Sequence, residues 1–160
     1  MIVLVGFMGA GKTTVGRLLA AGAGLPFLDS DHVIEARTGR PIPEIFRTDG
    51  EPAFRAVEHE VIAGLLGGPD VILALGGGAA EHEGTRRLLA AAPVVFLRVS
   101  YAGALARVGG DGNRPMLARL DLPAVFARRQ AGYEAVASMI VDVDDLVPEA
   151  IAKQIQAALD

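Results

Sequence analysis

One segment constrains the fold of this chain more than any other: GFMGAGKTT at residues 6–14. It matches the pattern G-x-x-x-x-G-K-[ST] at every fixed position, with Lys12 and Thr13 completing the match. The apolar run 2–5 precedes it, and a helical pattern over 13–21 follows it. A glycine-rich turn between a strand and a helix directs backbone N–H groups inward, and the helix dipole adds positive charge. The sequence therefore predicts a phosphate-binding loop.

The loop assigns a task to each of its later residues. Lys12 supplies a point charge between the β- and γ-phosphates, and the Thr13 hydroxyl coordinates Mg²⁺. A dinucleotide-binding turn is excluded because Thr14 stands where its third glycine would be. We expect the phosphates of ATP to lie on the loop residues Gly9, Ala10, Gly11, Lys12, Thr13 and Thr14.

The rest of the chain alternates short apolar runs with helical patterns. The runs at 2–5, 26–28, 71–75, 94–97 and 139–141 predict strands, and the patterns at 13–21, 31–38, 56–66, 85–92 and 149–159 predict helices. Such alternation is typical of an α/β domain with a parallel sheet. Two stretches rich in glycine and proline, 39–52 and 109–123, interrupt it, and the second predicts a mobile loop. A length of 160 residues predicts a single domain over 1–160.

Composition excludes several classes of protein. The chain is 51% hydrophobic and 21% charged, which is enough apolar material for a core. A net charge of −4 and 5% aromatic residues argue against a nucleic-acid partner. Without cysteine there is no disulfide, thiolate metal site or cysteine nucleophile. No apolar run reaches the roughly 20 residues of a membrane span, and the N-terminus is a poor signal peptide. We expect a cytoplasmic protein that does not bind membranes.

Acidic residues for the metal are expected at Asp29 and Asp31, since both follow the strand 26–28 at the ligand-binding edge of the sheet. Their i, i+2 spacing allows them different tasks, although one of them could simply cap the next helix. The strand 71–75 ends in three glycines and offers no acid.

The candidate anion-binding residues are arginines, which recognise carboxylates and phosphates in bidentate fashion. Arg55, Arg114 and Arg129 stand out, although a lone arginine is more often a solvated surface residue. The three histidines (His32, His59 and His82) show no spacing typical of a metal site, and we expect them to be structural or exposed.

Several elements in order resemble shikimate kinase over essentially the whole chain. Besides the loop they are Asp29-Ser30-Asp31, the run 50–58 (GEPAFRAVE), Gly76-Gly77-Gly78, the run 113–117 (NRPML), and Arg129 four residues before Tyr133. The resemblance implies a five-stranded P-loop kinase related to nucleoside-monophosphate kinases, with a substrate-binding subdomain at about 30–60 and a lid at about 109–123. It also implies ATP-dependent phosphorylation of the 3-hydroxyl of shikimate. Separately, we expect the protein to be a monomer.

The resemblance implies roles for individual residues. Asp29 would hold Mg²⁺ together with Thr13, and Asp31 would bind the substrate hydroxyls and accept the proton. Arg55, oriented by Glu58, and Arg129 would hold the substrate carboxylate. The backbone of Gly76, Gly77 and Gly78 would lie against the substrate. Catalysis would rest on Lys12, Asp31 and Arg114, with Arg114 closing onto ATP from the lid.

The sequence departs from the family beside the adenine site. Family members often carry a basic residue just before the last helix, where this chain has Asp144-Asp145. Arg107 and Pro148 remain as candidates to contact adenine.

Other functions stay open on the residues alone. One is a related small-molecule kinase of the gluconate or nucleoside-monophosphate type, and another is a nucleotide-binding module without catalysis. A GTPase would need an N-K-x-D motif, and Asn113, the only asparagine, is followed by Arg114.

Overall fold

Five strands form one parallel sheet in the computed structural model, which describes residues 1–109 and 120–159. They are β1 (Ile2–Val5), β2 (Phe27–Asp29), β3 (Ile72–Ala74), β4 (Val94–Arg98) and β5 (Met139–Asp142). The strand order is β2-β3-β1-β4-β5, and all four neighbouring pairs are parallel. The predicted five-stranded parallel sheet is confirmed.

The central strands are buried because helices cover both faces of the sheet. Leu4, Leu73 and Phe96 have no exposed surface, as continuous apolar runs predict. At one edge of the sheet, β5 exposes 41% of Ile140. Since every strand runs the same way, the carboxyl ends of β1, β2 and β3 meet at one edge, where ligands bind in open α/β sheets.

Eight α-helices and one 3₁₀ helix are formed by the described residues. They are α1 (Lys12–Ala23), α2 (Ser30–Thr38), α3 (Ile42–Asp49), α4 (Glu51–Leu66), the 3₁₀ helix Ala79–Glu81, α5 (Glu83–Leu89), α6 (Tyr101–Val108), α7 (Leu122–Val136) and α8 (Pro148–Leu159). None of the helices in this part of the chain is both long and apolar enough to cross a membrane.

Helices α2, α3 and α4 have a small core of their own. Ile34, Ile45, Phe54 and Val61 pack together there, separately from the main core around the sheet. These helices cover the region expected to bind substrate, about 30–60.

The interruption expected over 39–52 was wrong, because α3 occupies most of it. Pro43 lies in the first turn of α3 and Pro52 in that of α4, where the missing N–H costs no hydrogen bond. Ile42, Ile45 and Phe46 then follow helical spacing.

Helices α6 and α7 were not expected either, and α7 includes Leu122 and Pro123 from the end of the predicted lid. Most of that lid, residues 110–119, lies outside the described residues, and Arg114 with it.

Candidate active site

The predicted phosphate-binding loop lies between β1 and α1. Gly9 and Gly11 have φ of 78° and 90°, left-handed conformations that favour glycine. The N-cap of α1 is Gly11, which has no side chain to cap the helix, so the N-terminus of α1 faces the loop. Lys12 and Thr13 are the first two residues of that helix. A left-handed turn that leads into such a helix end fits a phosphate group.

Lys12 lies back against the start of the loop. Its ammonium donates hydrogen bonds to the carbonyls of Gly6 at 2.7 Å and Phe7 at 3.3 Å. The positive charge is thus held inside the loop that would take the phosphates.

Arg107 connects the loop to the segment after β5. Its guanidinium donates to the carbonyls of Gly9 at 3.1 Å and Val143 at 2.6 Å. Pro148, the other candidate adenine contact, begins α8 at the end of that same segment. The structure therefore places Arg107 on the phosphate-binding loop and Pro148 on a segment that Arg107 holds.

Asp144, in the stretch before the last helix where the family resemblance suggested a basic residue, has a structural partner. Its carboxylate accepts hydrogen bonds from the Ser100 backbone N–H at 3.0 Å and the Ser100 hydroxyl at 3.0 Å. Ser100 is the N-cap of α6, the helix that carries Arg107. This link was missed from the sequence, since nothing in the spacing of the two residues indicates it.

Asp29, the last residue of β2, and Asp31, in the first turn of α2, have different contacts. Asp29 is the N-cap of α2, and its side chain accepts from the Asp31 backbone N–H at 2.9 Å. The capping role therefore belongs to Asp29, which also remains the acid nearest to the end of β2.

The Asp31 carboxyl is largely buried and short of partners. Among the described residues its Oδ1 has no hydrogen-bond donor. Burial raises the pKa of Asp31, the negative charge of Asp29 raises it further, and Lys12 and Arg55 oppose the shift. A carboxylate in this state is suited to accept a proton or to bind a hydroxyl group.

A cavity of about 190 Å³ lies beside Asp31. Its lining residues are Asp31, Ile42, Phe46, Phe54, Arg55, Glu58, Gly76, Gly77, Gly78 and Arg129. All six residues that were expected to contact substrate are in this list, although they come from α2, α4, α7 and the turn after β3. The cavity combines two arginines with one aspartate, which suits a small hydroxylated acid.

Glu58 fixes Arg55 at the wall of the cavity. Arg55 Nη1 donates to Glu58 Oε2 at 2.5 Å, and the Glu58 side chain is only 1% exposed. Burial raises the pKa of Glu58, and the charge and hydrogen bond of Arg55 act against that rise. The guanidinium also lies 5.2 Å from the ring centre of Phe54, so packing and charge together set its position.

The glycines after β3 allow charged groups to approach the backbone. A Cβ on Gly78 would lie 2.0 Å from Arg55 Nη2, and one on Gly76 would lie 2.5 Å from Asp31 Oδ1. Any larger residue would displace these side chains, which is a physical reason for glycine here.

Two further residues shape this region and were missed. The buried Tyr133 hydroxyl donates to the Gly77 carbonyl, and burial raises the pKa of that hydroxyl.

Glu81, just beyond the glycines, accepts from Arg128 Nε at 2.6 Å and from Arg129 Nε at 3.1 Å. Burial would raise the pKa of Glu81, but Arg128 and Arg129 together lower it below the usual range. No sequence signal marked Glu81, since it lies 47 and 48 positions from its partners.

The histidines form no metal site with other ligands. Across residues 1–109 and 120–159 no three side chains of His, Cys, Asp or Glu come together as metal ligands. His59 and His82 lie with ring centres 4.7 Å apart, and His59 contacts Thr85 at 3.1 Å.

Comparison with known proteins identifies the family of this chain. The model of the shikimate kinase family matches residues 8–160. Shikimate kinase of Thermobifida fusca is 45% identical over 100% of this chain and 97% of the relative, and that of Mycobacterium avium is 44% identical over 98% and 92%. Shikimate kinase from Acinetobacter baumannii, solved in complex with shikimate, superposes with a TM-score of 0.92 at 39% identity, covering 99% of this chain and 91% of the other.

Proposed function

This chain belongs to the shikimate kinase family and phosphorylates shikimate with ATP, and on that premise we propose which of its residues carry out the reaction. The single observation that supports the assignment is the cavity that joins Asp31, Arg55, Arg129 and the three glycines at the edge of the sheet where β1 ends in the phosphate-binding loop. We refer to Arg55 and Arg129 as the carboxylate clamp.

The carboxylate clamp would hold the acid group of shikimate. Two guanidinium groups offer paired N–H donors that match a carboxylate, and Glu58 keeps one of them in place. The Gly76–Gly78 turn leaves room for the ring. Held in this way, the 3-hydroxyl would lie beside Asp31, whose carboxylate accepts its proton during attack on the γ-phosphorus.

The γ-phosphate would be held by the loop residues Gly9–Thr14. Phosphoryl transfer depends on positioning and on stabilising charge, which Lys12 and the N–H groups of α1 supply. To do this Lys12 exchanges its bonds to the Gly6 and Phe7 carbonyls for phosphate oxygens.

A Mg²⁺ ion would be held by the Thr13 hydroxyl and, through water, by the Asp29 carboxylate. Both are oxygen ligands, the donor type that Mg²⁺ prefers alongside phosphate oxygens. When bound, the ion neutralises charge on the β- and γ-phosphates. Asp29 would be able to hold the ion while it caps α2, because the hydrogen bond from the Asp31 N–H uses its Oδ1.

Arg114 is proposed as the cation that stabilises charge on the transferring phosphoryl group. It lies outside the described residues, so this role rests on the resemblance of the run 113–117. We expect Arg114→Ala to lower kcat by about 10³-fold or more with a smaller change in the KM for shikimate, as for an arginine finger. A kcat close to that of the unaltered enzyme would remove Arg114 from the mechanism.

We also propose that the enzyme acts as a monomer in the cytoplasm. The cavity with the proposed substrate contacts is lined within a single chain and so needs no residue from a second copy, and the absence of cysteine is compatible with a reducing compartment. Size-exclusion chromatography with light scattering should give a mass near 16.6 kDa.

A panel of hydroxy acids tests the function. Each acid is added with Mg²⁺ and ATP, and release of ADP is followed. Shikimate should give the highest kcat/KM, whereas gluconate and nucleoside monophosphates should give almost none. Turnover that favours gluconate would support the related-kinase alternative, and ATP binding without turnover of any acid would support a binding module.

Chemical labelling of lysine tests the loop. The chain has two lysines, Lys12 and Lys153, so one serves as the control for the other. An amine-reactive reagent should modify Lys12 less when ATP and Mg²⁺ are present, whereas Lys153 should react equally in both conditions. Unchanged reaction of Lys12 would contradict its assignment to phosphate.

A further inference from the structure

Glu81 places one carboxylate between the two members of the carboxylate clamp. Its Oε2 lies 3.1 Å from Arg129 Nε and 3.8 Å from Arg55 Nη2. Its other oxygen, Oε1, lies 2.6 Å from Arg128 Nε, outside the clamp. One Glu81 oxygen therefore lies within reach of both guanidinium groups of the clamp, although Glu81 itself lines the neighbouring pockets and not the cavity proposed for the substrate.

The surroundings allow the Glu81 side chain to move while its backbone stays fixed. The Arg86 guanidinium donates to the carbonyls of Ala80 at 2.9 Å and Glu81 at 2.8 Å, and the Glu81 N–H donates to the Gly78 carbonyl at 2.9 Å. The Glu81 side chain, by contrast, is 21% exposed. Glu58 is both more buried and closer to Arg55: its side chain is 1% exposed, and its carboxylate lies 2.5 Å from the guanidinium.

The carboxylates of Glu81 and of the substrate would compete for the same N–H donors. Two carboxylates within a few ångströms of each other repel, and both require N–H groups of Arg129. Arg128 gives Glu81 a second partner, because its side chain is 59% exposed and is already bound to Oε1.

We propose that Glu81 is an internal competitor for the substrate carboxylate. In the empty site it neutralises the carboxylate clamp, and when shikimate binds it withdraws from Arg55 and Arg129 and stays with Arg128. The inference rests on the proposed function, because it requires the clamp to hold the acid group of shikimate. Glu81 thereby lowers the affinity of the site for the substrate. It also lowers the affinity for the product, which keeps the same carboxylate.

The test is a double-mutant cycle on shikimate affinity, measured by titration calorimetry without nucleotide and as KM in the kinase assay. Glu81→Gln keeps the shape of the side chain and removes its charge. It should lower both the Kd and the KM for shikimate about fivefold, without raising kcat and without changing the KM for ATP. Glu83→Gln is the matched control, because Glu83 pairs only with the exposed Arg87 in the described part of the chain.

Arg128→Gln completes the cycle. With its outer partner gone, Glu81 should stay on the clamp, and the Kd for shikimate should rise about threefold or more. In the Glu81→Gln background the same Arg128 substitution should have almost no effect. A purely structural role for Glu81 predicts the opposite sign, since its loss would loosen Arg129 and weaken binding.

The outcomes separate the proposal from the proposed function. If the unaltered enzyme binds shikimate and Arg129→Gln weakens that binding, the clamp stands. If Glu81→Gln then binds shikimate as weakly as the unaltered enzyme, or more weakly, the competitor role alone is overturned. The same conclusion follows if Arg128→Gln has an equal effect on shikimate binding in the unaltered enzyme and in the Glu81→Gln variant. If the unaltered enzyme neither binds nor phosphorylates shikimate, the proposed function fails and the competitor role fails with it.

Discussion

At the scale of a single residue, Asp31 is the proposed proton acceptor, and its buried charge has a cost in stability. Its Oδ1 has no donor among the described residues, and burial and Asp29 raise its pKa. A carboxyl whose pKa is raised by folding holds its proton more tightly in the folded protein. Its ionised form therefore destabilises the fold at high pH, and this cost disappears as the pH falls below the raised pKa.

Asp31→Asn should accordingly raise the melting temperature and abolish most of the activity. At pH 8 we expect the melting temperature to rise by about 2–4 °C for each kcal/mol of buried-charge cost that is removed, and this rise should shrink at acid pH. The kcat should be at least 10²-fold lower. Differential scanning calorimetry and the kinase assay measure the two effects. Asp29→Ala is the control, since loss of the α2 cap should instead destabilise by about 1 kcal/mol. A lower melting temperature for Asp31→Asn at pH 8 would contradict the buried-charge cost.

In the proposed carboxylate clamp, we expect lysine to be a poor replacement for Arg55. Its guanidinium bonds Glu58 and leaves further N–H groups for the substrate, whereas a lysine ammonium lacks the planar fork. We expect Arg55→Lys to raise the KM for shikimate at least tenfold with a smaller fall in kcat, because a carboxylate clamp binds ground and transition states alike. The exposed Arg37, paired with Glu60, provides the control Arg37→Lys. Normal KM in Arg55→Lys would exclude the clamp.

At the scale of elements, the turn after β3 lets Arg55 and Asp31 lie against its backbone because its three glycines have no side chains. Gly78→Ala would place a Cβ 2.0 Å from Arg55 Nη2, so the arginine must shift, and we expect the KM for shikimate to rise about tenfold or more. Gly64→Ala in α4 is the matched control, since its Cβ would meet no atom within 4 Å in the described structure. It should stabilise by about 0.5–1 kcal/mol and leave KM unchanged. Equal kinetics for both variants would rule out close packing at Gly78 as a requirement.

The prediction of elements succeeded where periodicity is strong and failed where local signals conflict. Continuous apolar runs identified all five strands, because a strand covered on both faces needs no polar positions. Helix α3 was missed, since Pro41 and Pro43 resemble a loop until the second proline is placed in a first turn. In α7 the buried Leu122, Val125, Tyr133 and Val136 are too widely spaced along a polar and alanine-rich segment to stand out.

At the scale of the whole molecule, ligands should stabilise the fold in two separable steps. ADP with Mg²⁺ would bind the loop at β1, and shikimate would connect α2, α4 and α7 through Asp31, Arg55 and Arg129. At 100 times its Kd each ligand adds about 2.7 kcal/mol, or roughly 5–10 °C in melting temperature for a chain of this size. Thermal unfolding with each ligand measures this. Arg55→Lys should lose the shikimate step alone, and an equal shift with gluconate would contradict the specificity.

Resemblance to the shikimate kinase family supplied the expected roles of the site residues, whereas the sequence by itself determined the glycine-rich loop after β1 and the parallel sheet. These follow from local causes: glycines that permit a left-handed turn, apolar runs that must be buried, and strand ends that meet at one edge. Only the tertiary structure decided that Asp29 rather than Asp31 caps α2, that Asp144 holds the N-terminus of α6, and that Glu81 lies on both arginines of the clamp. Contacts between residues far apart in the sequence, such as Asp144 with Ser100 at 44 positions and Glu81 with Arg129 at 48, depend on how helices pack against the sheet, and no local pattern encodes that packing.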